Sequence, residues 1–252
     1  MRVTILGCGS SGGVPRIGND WGVCDPNDPK NRRRRCSILV DEGDTRVLID
    51  TSPDMREQLL DADVTWLDGV VWTHDHADQT HGLDDLRALA ISHRRRVDVW
   101  GDVPTLERLK GKFGYCFPKT DSKAYPAILQ DHLIEGPFSI GPVQITPFEQ
   151  DHGTMTSLGF RLNDVAYAND VKALDDIAFD VMAGSRVMIV DALRYTPHPT
   201  HAHLDLALEW IERVKPERAV LTNLHVDLDY QTLKSELPAH IEPAYDGMVI
   251  EV

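Results

Sequence analysis

The ten residues from Thr73 to Gly82 constrain this chain most, because they place three histidines and two aspartates in one short turn. They follow residues 69–72, an apolar run that predicts a buried strand. His74 and His76 are two residues apart, so in extended chain their side chains project to the same side and can bind one ion. Imidazole together with carboxylate suits zinc, manganese or iron. A polar loop with solvated histidines is the alternative, but strand ends are where α/β sheets place their sites.

Composition predicts an ordinary globular protein. Apolar residues make up 42% of the chain and charged residues 26%. We expect its 252 residues to form a single domain over residues 1–252. No apolar stretch approaches the roughly 20 residues that span a bilayer. The first residues lack a signal-peptide pattern and predict a β-strand, so we expect a cytoplasmic protein that does not bind membranes.

The balance of charge limits the partners of the chain. A net charge of −14 argues against binding to long nucleic acid. Two basic runs, at residues 32–35 and 94–96, oppose this trend. They are either solvated loop charge, or an arginine of the first run contacts an anionic substrate, since guanidinium matches the geometry of phosphate.

The four cysteines Cys8, Cys24, Cys36 and Cys116 are widely separated. Their spacing argues against a disulfide framework and against a four-thiolate zinc site. We expect most of these cysteines to be small residues of the core or of loops.

Strand-like and helical runs predict the fold class. Strands are expected at residues 2–6, 36–40, 46–49, 69–73, 97–100, 143–147, 157–162, 166–167, 186–190, 219–222 and 248–251. Helices are expected at residues 53–61, 83–93, 105–113, 173–179, 203–214 and 230–237. Strand pairs come early and alternation with helices comes later, which favours two sheets with helices on their outer faces, a four-layer α/β arrangement. The least patterned stretch, residues 119–137, is interpreted as a loop or lid near the site.

Four further strand-like segments end in residues of the metal-ligating kind. Asp50, His152, Asp170 and His225 each follow an apolar run. A lone histidine at a strand end is more often structural, but five such ends in one chain are hard to explain by core packing. Sheets built in this way bring their strand ends together at one rim.

In these residues the chain resembles the metallo-β-lactamase-fold hydrolases, and the resemblance covers nearly its whole length. It rests on the order Asp50, His74-x-His76-x-Asp78, His152, Asp170 and a late histidine. The opening Leu6-Gly-Cys-Gly-Ser-Ser-Gly-Gly-Val-Pro15 is similar to that of the PhnP-like phosphodiesterases, and more distantly to tRNase Z and PqqB. The fold implied is a four-layer αββα metallo-β-lactamase-like sandwich.

The resemblance implies a role for each matching residue. It implies that His74, His76 and His152 hold a first metal, that Asp170 bridges to a second metal, and that Asp78 ligates the second. Asp50 would orient ligands through hydrogen bonds. His203 falls where PhnP-like enzymes keep a histidine that assists the leaving group, and Asp191 matches a further active-site aspartate.

Two departures from the family pattern affect the second metal. The family reads HxHxDH, but Gln79 stands in the last position, and Asn223 stands where a late histidine usually follows the threonine. A histidine lies two residues beyond each, His81 and His225, and a two-residue step in extended chain keeps the same face. The second site is therefore rebuilt from His81 or His225, or from the Gln79 amide oxygen, or is weak or vacant. We favour a retained site that uses His225.

A third departure concerns the extra zinc site of PhnP enzymes, because only Cys24 remains near that loop, and we expect no structural zinc. The resemblance further implies two divalent ions (Zn²⁺ or Mn²⁺, with Fe also suited) and a homodimer.

The leading hypothesis is metal-dependent hydrolysis of a small phosphodiester, such as a ribosyl cyclic phosphate or a cyclic nucleotide, by metal-activated water. In this scheme Asp78 orients the water, and His203 protonates the leaving group. Two rivals are hydrolysis of a thiolester or carboxylic ester, and a PqqB-like role in cofactor biosynthesis or metal binding without hydrolysis.

Overall fold

Two seven-stranded sheets form the centre of the computed structural model, which describes residues 1–118 and 126–252. The strands of the first sheet are β1 Arg2–Gly7, β2 Ser37–Glu42, β3 Thr45–Ile49, β4 Gly69–Val71, β5 Val97–Gly101, β6 Leu129–Leu133 and β14 Val249–Glu251. They lie in the order β14-β1-β2-β3-β4-β5-β6. Strands β3 to β6 pair in parallel, and the remaining neighbours are antiparallel.

The second sheet repeats this plan. Its strands are β7 Phe138–Ile140, β8 Val143–Asp151, β9 Thr156–Leu162, β10 Val165–Ala168, β11 Val187–Asp191, β12 Arg218–Thr222 and β13 Ile241–Pro243. Their order is β13-β12-β11-β10-β9-β8-β7, with β10 to β13 parallel and the others antiparallel. Each sheet therefore has a parallel half whose carboxyl ends share one edge.

Helices cover the outer faces of both sheets. They are α1 Met55–Asp61, α2 Ala77–Thr80, α3 Arg87–His93, α4 Val103–Phe113, α5 Asp176–Met182, α6 Leu204–Val214 and α7 Tyr230–Glu236. One apolar cluster, which includes Ile49 and Tyr167, lies between the sheets. A second packs α5, α6 and α7 on the second sheet, and a third packs α1, α3 and α4 on the first. The predicted four-layer αββα arrangement is confirmed.

Strand β8 runs four residues beyond the predicted end at Pro147. Its pairing with β9 continues from Phe148 opposite Gly159 to Asp151 opposite Thr156. Strand β7 pairs only with the first part of β8, so the proline lies where that side of the strand is free, and its missing N–H breaks no ladder bond. His152 directly follows the last residue of this longer strand.

Part of the stretch interpreted as a loop or lid is a strand. Within residues 119–137, Leu129–Leu133 forms β6, while residues 119–125 lie outside the described residues. This strand is the edge of its sheet and carries polar side chains: Asp131 pairs with Lys110, and His132 with Asp98. Polar edge strands lack the apolar alternation on which strand prediction depends.

All four cysteines are buried and free. None of the described helices is both long and apolar enough to cross a membrane.

Asp229 caps α7 and ties the segment before β2 to it. Its carboxylate accepts hydrogen bonds from the Thr232 amide and hydroxyl (both 3.0 Å), the Asn31 amide nitrogen (2.7 Å) and the Asp25 backbone (3.1 Å). We expect Asp229→Ala to lower the free energy of unfolding by about 2 kcal/mol, measured by urea denaturation at neutral pH. The matched control Asp180→Ala, on an exposed face of α5, should change it by less than about 0.5 kcal/mol.

The same side chain makes that difference depend on pH. Partial burial raises the pKa of Asp229, but its four donors outweigh burial and lower the pKa from 3.8 to about 2. The contribution of Asp229 to the free energy of unfolding is complete above its pKa in the unfolded chain. It is lost as the pH falls through its lower pKa in the folded protein. The gap in unfolding free energy between wild type and Asp229→Ala should therefore narrow below pH 3.8. A gap that stays constant there contradicts the capping role.

Candidate metal centre

The carboxyl ends of parallel strands from both sheets meet at one rim. Asp50 follows β3, and His74 lies three residues after β4. From the second sheet, Asp170 lies two residues after β10, Asp191 ends β11, and Asn223 follows β12. All five are almost completely buried. The rim is therefore a polar cluster inside the protein.

Three of these strand ends turn through left-handed backbone. Asp50 has a φ of 65°, Asp170 of 53° and Asn223 of 61°. Aspartate and asparagine tolerate this conformation best among residues with a side chain. Such strained positions cluster at functional sites. The turn ends the strand alternation at once, so the side chain that follows a strand need not lie on the face expected from the sequence.

The loop that carries the two early histidines is fixed against the end of β3. The Thr51 amide donates to the Gln79 carbonyl (2.7 Å), and the Gly82 amide donates to the Thr51 carbonyl (2.9 Å). A Cβ atom on Gly82 would lie 2.0 Å from the Ser52 carbonyl oxygen, so only glycine permits this approach. These contacts hold residues 79–82 against the end of β3, at the rim.

Three imidazoles face one another at the rim. The ring centroids of His74 and His76 are 4.6 Å apart, and that of His152 lies 5.1 and 5.2 Å from them. One ring nitrogen of each lies within 4.8 Å of the others. Three histidines are a common donor set for a catalytic metal ion.

Hydrogen bonds fix which nitrogen of each buried ring is free. The Thr73 hydroxyl donates to the Asp50 carboxylate (2.9 Å), so at 3.0 Å it accepts from His74 Nδ1. His152 Nδ1 donates to the Thr200 carbonyl (2.8 Å). Both Nε2 atoms therefore carry a lone pair. His74 Nε2 is buried with no hydrogen-bond partner among the described residues, as expected of a metal ligand. The donor set fits a divalent cation.

The protonation of these rings agrees with metal binding. Burial and the neighbouring imidazoles lower the pKa of His74 well below its ordinary value. Burial, together with His201, lowers the pKa of His152. Near pH 7 both rings are neutral, which is the form that binds a metal ion.

A second possible ligand group shares His152 and includes a residue that sequence reasoning missed. It consists of His152, Asp170 and His201. His201 Nδ1 lies 2.8 Å from Asp191 Oδ2 and 3.6 Å from Asp170 Oδ1, and its ring lies 4.8 Å from that of His152. The only sequence signal was its place in a histidine-rich stretch, two residues before His203.

The carboxylates around His201 change its protonation. Burial lowers the pKa of His201, but the hydrogen bond and charge of Asp191, with the charge of Asp170, outweigh burial and raise it to about 9. Burial, and next the charge of Asp78, raises the pKa of Asp170 well above its ordinary range. A protonated His201 offsets this concentration of negative charge.

Besides Asp50 and Asp191, four predicted site residues lie outside both ligand groups. Asp78, in the first turn of α2, is half-buried, with its carboxylate 3.4 Å from the Gln79 amide nitrogen. His203 is the residue before α6, and its ring has no hydrogen bond within the described part of the chain. His81 is exposed and contacts Phe113 (5.5 Å between ring centroids). His225 lies between an arginine and an aspartate at the rim.

The two-residue argument for His81 and His225 fails for local reasons. Helix α2 begins before Gln79, and two helical residues turn the side chain by about 200°. Asn223 has left-handed backbone, so the strand alternation ends before His225. Among the described residues, neither histidine joins the ligand groups that contain His74 and Asp170.

The arginines of the first basic run have partners within the chain. Arg33 is buried and donates to the Leu228 carbonyl (2.7 Å), while Arg34 pairs with Asp61. Arg35 pairs with Asp54 at 2.9 Å, and Arg32 stacks over a tryptophan. A different arginine faces the rim.

Arg16 is that arginine. Its Nη1 lies 3.2 Å from His225 Nε2, and its Nε donates to Asp20 at 2.9 Å. His225 Nδ1 lies 3.1 Å from Asp227. Arg16 keeps 43% of its side-chain surface exposed, so its guanidinium can still reach a bound molecule.

The sandwich and its histidine–aspartate rim define a metallo-β-lactamase-fold protein, a class of metal-dependent hydrolases. Residues 45–223 match the family described as the beta-lactamase superfamily domain. A solved structure described as a new diphosphatase from the PhnP family is 34% identical, with a TM-score of 0.92, over 100% of this chain and 97% of that one. The chain belongs to the PhnP family, as its sequence predicted.

A curated relative and a further solved structure also match the chain. An octanoyltransferase from Porphyromonas gingivalis is 32% identical over 98% of this chain but only 51% of its own length. The chain thus spans about half the length of that curated relative. Zinc-bound PqqB from Methylobacterium extorquens shares the fold, with a TM-score of 0.77, 15% identity and full coverage of both chains.

The link between Asp50 and His74 can be tested by removing one hydroxyl. Thr73→Val keeps the shape of the side chain but breaks the link, and we expect zinc affinity to fall by about 10–100-fold because the tautomer of His74 is no longer held. Competition with a chromophoric chelator measures the Kd. Thr73→Ser is the matched control and should bind like wild type. Equal affinities in the valine and serine variants contradict the role given to Thr73.

Proposed function

We propose that this protein hydrolyses phosphodiester bonds in small molecules, such as ribosyl or cyclic nucleotide phosphodiesters, with the help of a divalent cation. The observation that carries the proposal is the adjacency of three converging imidazoles to the Asp191–His201 pair. A cation site lies there beside a proton donor. The PhnP-family relative described as a diphosphatase also supports chemistry at phosphorus.

The proposed cofactor is Zn²⁺ or Mn²⁺ at His74, His76 and His152, since both metals accept imidazole; iron suits the same ligands. When bound, the cation would lower the pKa of water at the site toward about 7 and offset charge on the phosphoryl oxygens. Asp78, half-buried in the first turn of α2, is assigned to orient the attacking water and accept its proton.

Protonation of the leaving oxygen is assigned to His201 in place of His203. Asp191 holds the His201 ring at 2.8 Å and also accepts a hydrogen bond from the Val171 amide (3.1 Å), so it is fixed from two sides. A positioned imidazolium contributes roughly 10²–10⁴-fold to such a step.

Recognition of the anionic substrate is assigned to Arg16. Its guanidinium is exposed at the rim, beside His225, and can bind a phosphate oxygen. The net charge of −14 supports a small substrate over long nucleic acid. The cytoplasmic location and the homodimer stay predictions from the sequence.

A second candidate is hydrolysis of a thiolester or carboxylic ester. The relative named an octanoyltransferase favours it, because an acyl group is what such a protein transfers. The same cation and His201 would serve an acyl substrate.

Turnover of matched substrates tests the proposal. We expect the Zn²⁺- or Mn²⁺-loaded protein to hydrolyse bis(p-nitrophenyl) phosphate and a 2′,3′-cyclic nucleotide, and to leave p-nitrophenyl octanoate and an octanoyl thiolester intact. His76→Ala, prepared identically, should lose diester turnover and bound metal together. Faster hydrolysis of the octanoyl substrates selects the second candidate, and full metal without turnover of any substrate rejects both.

The leaving-group role separates His201 from His203. We expect His201→Ala to slow cyclic nucleotide hydrolysis by about 10²–10⁴-fold and bis(p-nitrophenyl) phosphate much less, since p-nitrophenolate leaves without a proton. His203→Ala is the control and should leave both rates near wild type. If His203→Ala shows the leaving-group dependence instead, the assignment from family resemblance is right.

A further inference from the structure

We infer that this protein holds one metal ion tightly and that side-chain amides occupy the place of the second ion. The inference rests on the proposed metal-dependent function. The two positions where family histidines would bind the second ion carry carboxamides, Gln79 and Asn223. Both side chains turn toward the same carboxylate, that of Asp170.

Three amide groups surround Asp170. The side-chain nitrogens of Gln79 and Asn169 each lie 2.8 Å from Oδ2, and that of Asn223 lies 3.4 Å from Oδ1. All four side chains are at most 3% exposed. The contacts from residues 79 and 223 arrive from opposite sheets, so they hold the carboxylate between them.

A count of lone pairs shows what remains for metals. A carboxylate offers about four acceptor sites, two on each oxygen. Gln79 and Asn169 occupy both sites of Oδ2, and Asn223 occupies one of Oδ1. About one site is left, which is enough for one ion, whereas a bridging aspartate must serve two.

The shared histidine is restricted in the same way. His152 donates from Nδ1 to the Thr200 carbonyl, so it has one lone pair, which can serve only one ion. The remaining member of the second ligand group, His201, has its Nδ1 between Asp191 and the Asn223 amide nitrogen (2.8 and 3.1 Å). With His152 assigned to the first ion, the second keeps Asp78 and at most the one open site of Asp170, which are too few donors to hold an ion tightly.

The orientation of the Gln79 amide follows from charge. Turned by 180°, its oxygen would face Asp170 Oδ2 and two acceptors would oppose each other. In the present orientation Oε1 is buried without a hydrogen bond in the described part of the structure. An Oε1 that ligates a second ion is the competing arrangement, and counting ions separates the two.

The experiment counts ions in wild type, Gln79→His/Asn223→His and Gln79→Met. Each protein is loaded with Mn²⁺ or Zn²⁺ and dialysed, metal per chain is determined by elemental analysis, and coupling between Mn²⁺ ions is followed by electron paramagnetic resonance. Histidine is tolerated in left-handed backbone, so position 223 accepts it.

We expect one ion per chain and no coupling in wild type and in Gln79→Met, and two coupled ions in the double histidine variant. Two ions in wild type with affinities within about tenfold of each other overturn the inference, and so does a double variant that folds but still holds one. The wild-type count decides alone if the double variant fails to fold. One tight ion without diester turnover rejects the proposed function and leaves this inference standing.

Discussion

The structure depends on satisfying polar groups that are buried where the strand ends of two sheets meet. A buried carboxylate without a partner costs several kcal/mol. Here each one has partners: Asp50 has Thr73, Asp191 has His201 and the Val171 amide, and Asp170 has three side-chain amides. The hydrogen bond between Gln79 and Asp170 joins the ends of the two sheets, and the others orient side chains within one sheet's own strand ends. Fold and chemistry therefore depend on the same contacts at this rim.

Local patterns in the sequence predicted the parts of the fold that local physics determines. Apolar runs predicted most strands, and the polar residues at their ends predicted the rim, because a strand end is a feature of neighbouring residues. The edge strands β6 and β7 were not predicted, since β6 is polar and β7 has only three residues. The spacing of His74 and His76 predicted that they share one side of the turn, and the family resemblance added His152 to them.

The rest of the site depends on contacts between distant residues. The Gln79–Asp170 pair joins residues 91 apart in the chain, and the Asn223–Asp170 pair joins residues 53 apart. No spacing rule finds such pairs. The prediction of His225 as a ligand assumes extended chain, which keeps every second side chain on one face, but the left-handed backbone at Asn223 breaks that alternation. The place of His201 in the site is recognised only in the structure, from its hydrogen bond to Asp191.

Left-handed backbone at residue 223 also narrows which amino acids that position accepts. Asparagine, aspartate and histidine are the non-glycine residues most at ease there. The path of the main chain is therefore the same whether a hydrogen-bond donor or a metal ligand is attached to it. Exchange of one compact polar side chain for another at this position therefore changes what the rim can bind and leaves the path of the main chain unchanged.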